Sequence, residues 1–538
     1  MEYPREEFTA EERRLLEPHF TNLDKPVFGV VDLPEVVKGA LFARYSRYQG
    51  TLRRLYLDEF AADQGGHPAR DPSAGSPADG PYSGSERAEA LYQRVFLEFG
   101  DDSVAQLGGA HLACEWSSNV LTKILQRGRL AAYLEQSTRY IAYDRRLPSG
   151  RFRYYWDERL GEPYAAAMER IFELYSAGLE RVRTWAARQY PRGDEPEAAW
   201  RRSINAKALD AMRGLLPASS LSHVGIYATG QAYEQLLMRL LASPLPEARD
   251  FGGLALGELR KVIPAFLRRV DMPDRGEAWI GYLAGLRERA SSAAARFGLG
   301  DARESEDGPS VRLLGVRGDE EELIAASLYE ASDLPEAELR AAVAAMSPAE
   351  RGALIAELVG VRENRRHKPG RGFEAVGYRF EITSDYGAFR DLQRHRLLTI
   401  QWQRLGCDLG ADVPEEVELA GYGDEYREGL ETSNAEWQRL RGLGLDEDAA
   451  YAVSLAYRIR YVLDLNAREA MHLIELRSGR EGHATYRAIA LEMLDRIGTV
   501  HPAIAAAMTH ADTETEPRLE RLVGELRRQR RLEAAGRS

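Results

Sequence analysis

The chain has 538 residues, enough for two or more domains, and its 44% hydrophobic and 29% charged residues are a globular composition. A net charge of −12 disfavours general nucleic-acid affinity, although a local basic pocket can still take an anionic nucleotide. The two cysteines, Cys114 and Cys407, are too far apart to suggest a disulfide framework or a metal cluster. The amino terminus lacks an apolar signal core, and no apolar run nears the roughly 20 residues of a membrane span, so a cytoplasmic protein is expected.

In chain order, residues 62–88 are rich in Gly, Pro, Ala, Ser and Asp and are expected to form a disordered insertion. Arg127-Gly128-Arg129 follows, with Ser137 seven residues further on. Residues 163–189 carry apolar side chains at spacings of three and four, which predicts a helix. Residues 297–310 read as a linker dividing the chain into halves of about 290 and 230 residues. A helix is predicted over 317–330, and a strand over 375–383, where Tyr378, Phe380 and Ile382 alternate with Arg379 and Glu381. Arg394-His395-Arg396 repeats the double-arginine motif. Residues 447–477, through Tyr451, Leu455, Ile459, Leu463, Met471, Ile474 and Leu476, predict a further helix.

The expected fold is α+β and helix-dominated, without regular βαβ alternation. The expected domains are 1–296 and 317–510, joined by a linker over 297–316 and followed by a charged helical tail over 511–538. No G-x-G-x-x-G or P-loop appears.

Two arginines two apart offer a fixed pair of cations, suited to a phosphate or another anion. Glu135, Ser137 and Arg139 in LEQSTRY share one face if the segment is extended, and then offer a carboxylate, a hydroxyl and a guanidinium together. The alternative is a polar edge strand with a surface ion pair. No His–Asp partner adjoins Ser137, which disfavours a hydrolase triad. In NAREAMHLIELR, a helix places Arg468, His472 and Glu475 on one face, lining a pocket or else simply solvated. Glu469-x-x-His472 has di-iron spacing, but no second copy accompanies it, so no metal is expected.

These motifs resemble the flavin-dependent thymidylate synthases (ThyX), whose signature is Arg-His-Arg, seven residues, then Ser-x-Arg-Tyr. Arg127-Gly128-Arg129…Ser137-Thr138-Arg139-Tyr140 fits all but the histidine, and Arg394-His395-Arg396 is intact but has Arg404 for the serine. ALFARYSR around Ser46, FGDDSVAQ around Ser103, MRGLLP around Arg213 and Asn466-Ala467-Arg468…Leu476-Arg477 resemble further family segments. The departures are Thr229 and Gln231 for Asn-x-Arg in the first half, and Ala450 for the nucleotide-binding arginine in the second. The resemblance covers about residues 25–290 and 317–505 as two incomplete, complementary copies.

The resemblance implies two tandem ThyX-like domains, each helix-rich around a sheet, with composite sites and a homodimer presenting four domains. It implies FAD-dependent reductive methylation of dUMP to dTMP, with methylenetetrahydrofolate and NADPH as co-substrates. Arg127, Arg129, Arg139, Arg213 and Arg477 are then the nucleotide-binding cations, and Glu135 and Ser137 the catalytic pair. Ser46, Ser103, Arg394, His395, Arg396, Asn466, Arg468 and His472 are the cofactor-binding residues. The alternatives are a ThyX-like enzyme alkylating another pyrimidine, or a non-catalytic protein binding flavin or nucleotide.

Overall fold

The structure, a computed structural model, describes residues 6–45, 48–61, 106–299, 308–514, 519 and 521–535. Ser46, Ser103 and the expected insertion at 62–88 lie outside the described residues. Two compact units divide the chain. The first is drawn from Met1–Ser117, Ile124–Glu135 and His223–Asp301; the second from Ser118–Lys123, Gln136–Ser222 and Ala302–Ser538. Residues 136–222 of the first half therefore belong to the same unit as the second half.

The fold is α+β, as expected. The first half runs β1 (Gly109–Ser118), α1 (Asn119–Leu125), β2 (Ala131–Glu135), α2 (Gly161–Gln189), α3 (Glu197–Met212), β3 (Leu221–Thr229) and α4 (Gly230–Leu241). The second half begins with β4 (Ser310–Arg317). It continues through β5 (Gly377–Asp385), α5 (Tyr386–Leu392), β6 (Leu398–Trp402), α6 (Gly423–Gly442), β7 (Arg458–Asn466), α7 (Ala467–Arg477) and α8 (Ala484–Val500). A last helix, α9 (Leu522–Ala535), follows. The strands form sheets in the orders β1-β3-β2 and β4-β5-β7-β6.

The repeat is visible in the register. β2 pairs antiparallel with β3 from Ala131↔Ala228 to Glu135↔Val224, and β6 pairs with β7 from Leu398↔Leu465 to Trp402↔Tyr461. Adding 267 to β2 numbers and 237 to β3 numbers carries every pair of the first ladder onto a pair of the second. The offset of 267 also separates Arg127 from Arg394. Helix caps follow the same mapping. The Ser118 hydroxyl accepts from Leu121 N at 3.0 Å, and its counterpart Asp385 accepts from Ala388 N at 2.8 Å. Thr229 accepts from Ala232 N at 3.3 Å, and Asn466 accepts from Glu469 N at 2.8 Å.

Within the second unit, the segments before β3 and β7 pair with each other. Ala218 N donates to Val453 O at 2.8 Å, and Leu455 N donates to Leu216 O at 2.9 Å, around the bridge Pro217↔Ser454. The 237 offset turns each bond into the other, so the pairing has a local two-fold axis.

The core of the second unit is built on the inward residues of β5 and β7, Tyr378, Phe380, Ile382, Tyr461 and Leu463, with Met471 and Ile474 of α7 and Met493 of α8. In the first unit, Val224 and Ile226 of β3 and Tyr233 and Leu237 of α4 are buried.

Three local expectations change. Residues 447–477 are not one helix: a 3-10 turn at Asp448–Ala452 precedes β7, and only Ala467–Arg477 is α-helical. Alternate burial of Ile459, Tyr461, Leu463 and Leu465 on a paired central strand decides this segment. The expected linker 297–316 enters β4 at Ser310, and the following helix spans Glu320–Leu328. LEQSTRY is not extended throughout: β2 ends at Glu135, and Tyr140 N and Ile141 N both donate to Ser137 O at 3.2 Å in a turn.

Candidate active site

A cluster of arginines lies within the second unit and draws on both halves of the sequence. Arg139 leaves the turn after β2, and Arg213 opens the 3-10 turn that follows α3. Arg394 follows α5, and Arg477 ends α7.

Two carboxylates hold the cluster together. Arg139 grips Asp210 through Nε–H···Oδ1 at 2.7 Å and Nη2–H···Oδ2 at 2.8 Å. Its Nη1 donates to the Tyr486 hydroxyl at 2.7 Å, and Nη2 also donates to Glu481 O at 3.0 Å. Arg521 Nη2 reaches both Asp210 oxygens at 3.1 Å. Arg213, 3% exposed, donates through Nη1 to Asp391 Oδ2 at 3.2 Å, and Arg394 Nη1 stands 3.8 Å from Asp391 Oδ1. Burial works to raise both acids, but Arg139 and Arg521 outweigh it at Asp210, held at about 2. Arg213, Arg394 and Arg477 likewise hold Asp391 well below the usual carboxylate range. Five guanidinium groups thus outnumber the carboxylates among them, Asp210, Asp391 and the neighbouring Asp385, leaving an excess of positive charge for an anion.

Arg477 is oriented from behind. His395 accepts from Arg477 Nε on its Nε2 at 3.1 Å, and its Nδ1 lies 2.8 Å from Glu469 Oε1. Burial and then the nearby cations push His395 down to about 4, against the pull of Glu469. The neutral ring therefore donates from Nδ1 to Glu469 and accepts at Nε2. Glu469 Oε2 lies 3.3 Å from His472 Nδ1. His395, Glu469 and His472 cluster closely enough to suggest metal ligation, but Arg477 already occupies the outer nitrogen of His395.

The remaining expected residues are more dispersed. Ser137 Oγ accepts from Arg139 N at 3.2 Å, fixing the turn. Arg396 is exposed; Arg468 Nε donates to Pro369 O at 2.9 Å, and the Asn466 side chain caps α7. Glu475 turns inward to a buried pair with Arg362 at 2.7 Å. Glu135 belongs to the first unit, where Gln126 Nε2 donates to it at 3.0 Å.

Arg127 and Arg129 are also in the first unit, lining a cavity of about 460 Å3 with Tyr133, Gln235 and Arg239. Gly128 stands where the second copy has His395. A Cβ there would lie 2.6 Å from Tyr133 Oη, so this copy has no room for the histidine without rearrangement.

Asp210, Asp391, Tyr486 and Arg521 were absent from the sequence expectation, and Glu469 entered it only through its di-iron spacing with His472. One signal was available: Asp210 precedes Arg213, and Asp391 precedes Arg394, by three residues. In space Asp210 pairs with Arg139, and Asp391 pairs with Arg213 as well as with its own neighbour Arg394.

The sequence model of the family described as thymidylate synthase complementing protein matches residues 66–265 and 319–503. The chain is similar to a "UPF0159 protein" of Chlamydia muridarum, 37% identical over 97% of this chain and 98% of the relative. A "UPF0159 protein Ta1429" of Thermoplasma acidophilum is 32% identical over 91% of this chain and 98% of that one. Among solved structures, a UMP/dUMP methylase PolB from Streptomyces cacaoi aligns with 39% of this chain and 97% of its own, at 17% identity and a TM-score of 0.31, too low to bear on function.

Proposed function

We propose, since the chain belongs to the thymidylate synthase complementing protein family, that it is a flavin-dependent enzyme methylating dUMP to dTMP. Methylenetetrahydrofolate supplies the carbon, and NADPH supplies the hydride through FAD. The observation that carries this reading is the excess of positive charge where Arg139 and Arg213 of one repeat meet Arg394 and Arg477 of the other. A nucleotide monophosphate complements that excess.

In this mechanism Arg477 takes the phosphate, while Arg139 and Arg213, anchored by Asp210 and Asp391, keep the cationic wall rigid. Glu469 and His395 fix the direction of Arg477. Reactants are held in place rather than activated by a protein nucleophile.

The donor set on the second repeat fits an anionic dinucleotide cofactor. Arg396 is exposed, the side chains of Arg394 and Arg468 are 36% and 27% exposed, and His472 is half-buried, so all four reach solvent. These residues would hold FAD, which when bound supplies the redox chemistry.

The visible spectrum of the purified protein tests the reading, followed by titration with dUMP and an anaerobic assay with NADPH and methylenetetrahydrofolate. Flavin bands that shift with dUMP, and dTMP as product, are expected. A flavin-free protein that binds no dUMP overturns it. Methylation of another pyrimidine nucleotide is the second reading, favoured by Gly128 and Arg404 standing where the motif has histidine and serine.

A further inference from the structure

We propose that Arg521, at the start of the terminal helix α9, is a positioning residue for the anion site: it shares Asp210 with Arg139, so that the carboxylate orients Arg139 without cancelling its charge. This role rests on the reading of the arginine cluster as a phosphate site. Arg521 itself lies beyond residues 66–265 and 319–503, the segments that match the family model.

Arg521 is 9% exposed and spends its guanidinium on the surroundings of Arg139. Nη1 donates to Arg139 O at 3.0 Å, and Nη2 donates to both Asp210 oxygens at 3.1 Å. The same group lies 4.4 Å from the ring centroid of Tyr140, the residue after Arg139. All four residues belong to the second unit.

The helix gains nothing from this cation. Arg521 O accepts from Glu525 N at 2.9 Å, so Arg521 stands at the N-terminal end of α9. A positive charge there opposes the helix dipole, which favours acids at that end. Anchorage comes instead from Arg202 of α3, whose Nε donates to Glu525 Oε2 at 2.6 Å. A cation kept at the unfavourable end and turned onto Asp210 serves Asp210 rather than the helix.

Two cations on one acid leave a surplus. Arg139 and Asp210 alone would form a neutral pair, whereas with Arg521 the trio carries a net positive charge. That surplus stands beside Arg477, since the guanidinium carbons of Arg139 and Arg477 both lie 5.6 Å from the ring centroid of Tyr486. Burial, with further pushes from Arg394 and Arg139, lowers the pKa of Arg477, so an anion bound there relieves a cost that Asp391 only partly offsets. The terminal helix thereby helps to set how strongly the cluster holds a phosphate.

Isothermal titration of the full-length protein with dUMP, and separately with orthophosphate, is the test. Arg521→Gln removes the charge and keeps an amide donor, and is expected to weaken both ligands about fivefold to tenfold. Arg521→Lys keeps the charge and is expected to stay within about threefold of the unaltered protein. Arg202→Ala frees the same helix from α3 and removes a positive charge outside the cluster, and is expected to leave both affinities unchanged. Equal affinities for Arg521→Gln and the unaltered protein would overturn the inference. So would a loss in Arg202→Ala as large as that in Arg521→Gln, which would make α9 an anchor only. Should Arg521→Gln fail to fold, Arg521→Lys decides, and a loss beyond about tenfold with the charge intact would count against the inference. Orthophosphate binding that depends on Arg521, in a protein that binds no dUMP, would uphold the inference and sink the methylation reading. An unaltered protein that binds neither ligand would overturn both.

Discussion

Arg139 has a structural duty as well as a place in the site. Its side chain is 11% exposed and makes both bonds to Asp210, so Arg139→Ala is expected to lower the unfolding free energy by about 3 kcal/mol, measured by urea denaturation. Arg521 still faces Asp210 and keeps the loss from growing further. An unchanged midpoint would make the pair decorative. Acid acts on the same neighbourhood. Burial and nearby cations leave His395 at about 4 and His483 at about 3, both below the ordinary 6.5. As pH falls below about 6.5 the unfolded chain takes up these protons first, so stability present above that pH is lost on the way down to about 4. Asp210, held at about 2, then costs stability as pH falls from about 3.8 towards 2. A drop on the order of 2–4 kcal/mol between pH 7 and 4.5 is expected in denaturation profiles, and a flat profile would contradict it. Gly128 makes a sharper test of the first motif. Gly128→Ala places a Cβ 2.6 Å from Tyr133 Oη and is expected to cost about 1–3 kcal/mol, with recovery when Tyr133→Phe is added. No recovery would place the strain elsewhere. The arginines themselves were legible in the sequence because their spacing is local. Asp210 and Asp391 were not, because each pairs with an arginine brought to it by the fold.

Caps and strands carry the repeat at the next scale. Thr229 and Asn466 occupy equivalent ends of β3 and β7, and each accepts a bond from the third residue of the helix that follows. Thr229→Ala and Asn466→Ala are therefore expected to cost about 1 kcal/mol each by thermal denaturation. A large loss at one position and none at the other would mean the caps no longer have matching roles. The strand at 375–383 was legible because β5 alternates cleanly, whereas β7 was read as helix. Leu455, Ile459 and Leu463 are four apart, a spacing shared by one face of a helix and by every second pair of positions along a strand. Only the intervening Tyr461 and Leu465, buried on the same face, separate the two readings. β2 was hidden for a different reason, since its five residues are too few to show a period.

At the scale of the whole molecule, the copies differ where a flavin would be held. Register places Thr229, Gln231 and Gln235 opposite Asn466, Arg468 and His472, so the first copy offers no arginine at that helix start. About one FAD per chain is expected after saturation and desalting, read from absorbance, and two per chain would show that both copies bind. The tandem organisation was legible because the motifs recur at one offset, while the division into compact units was not, because residues 136–222 join the second unit only through pairing distant in sequence. That pairing also sets a timetable for biosynthesis. Leu216 waits for Leu455, and Ala218 for Val453, so the second unit cannot close until most of the polypeptide has left the ribosome. Until then the first-made half shows nascent-chain binding factors the unpaired backbone that its own distant copy will later cover.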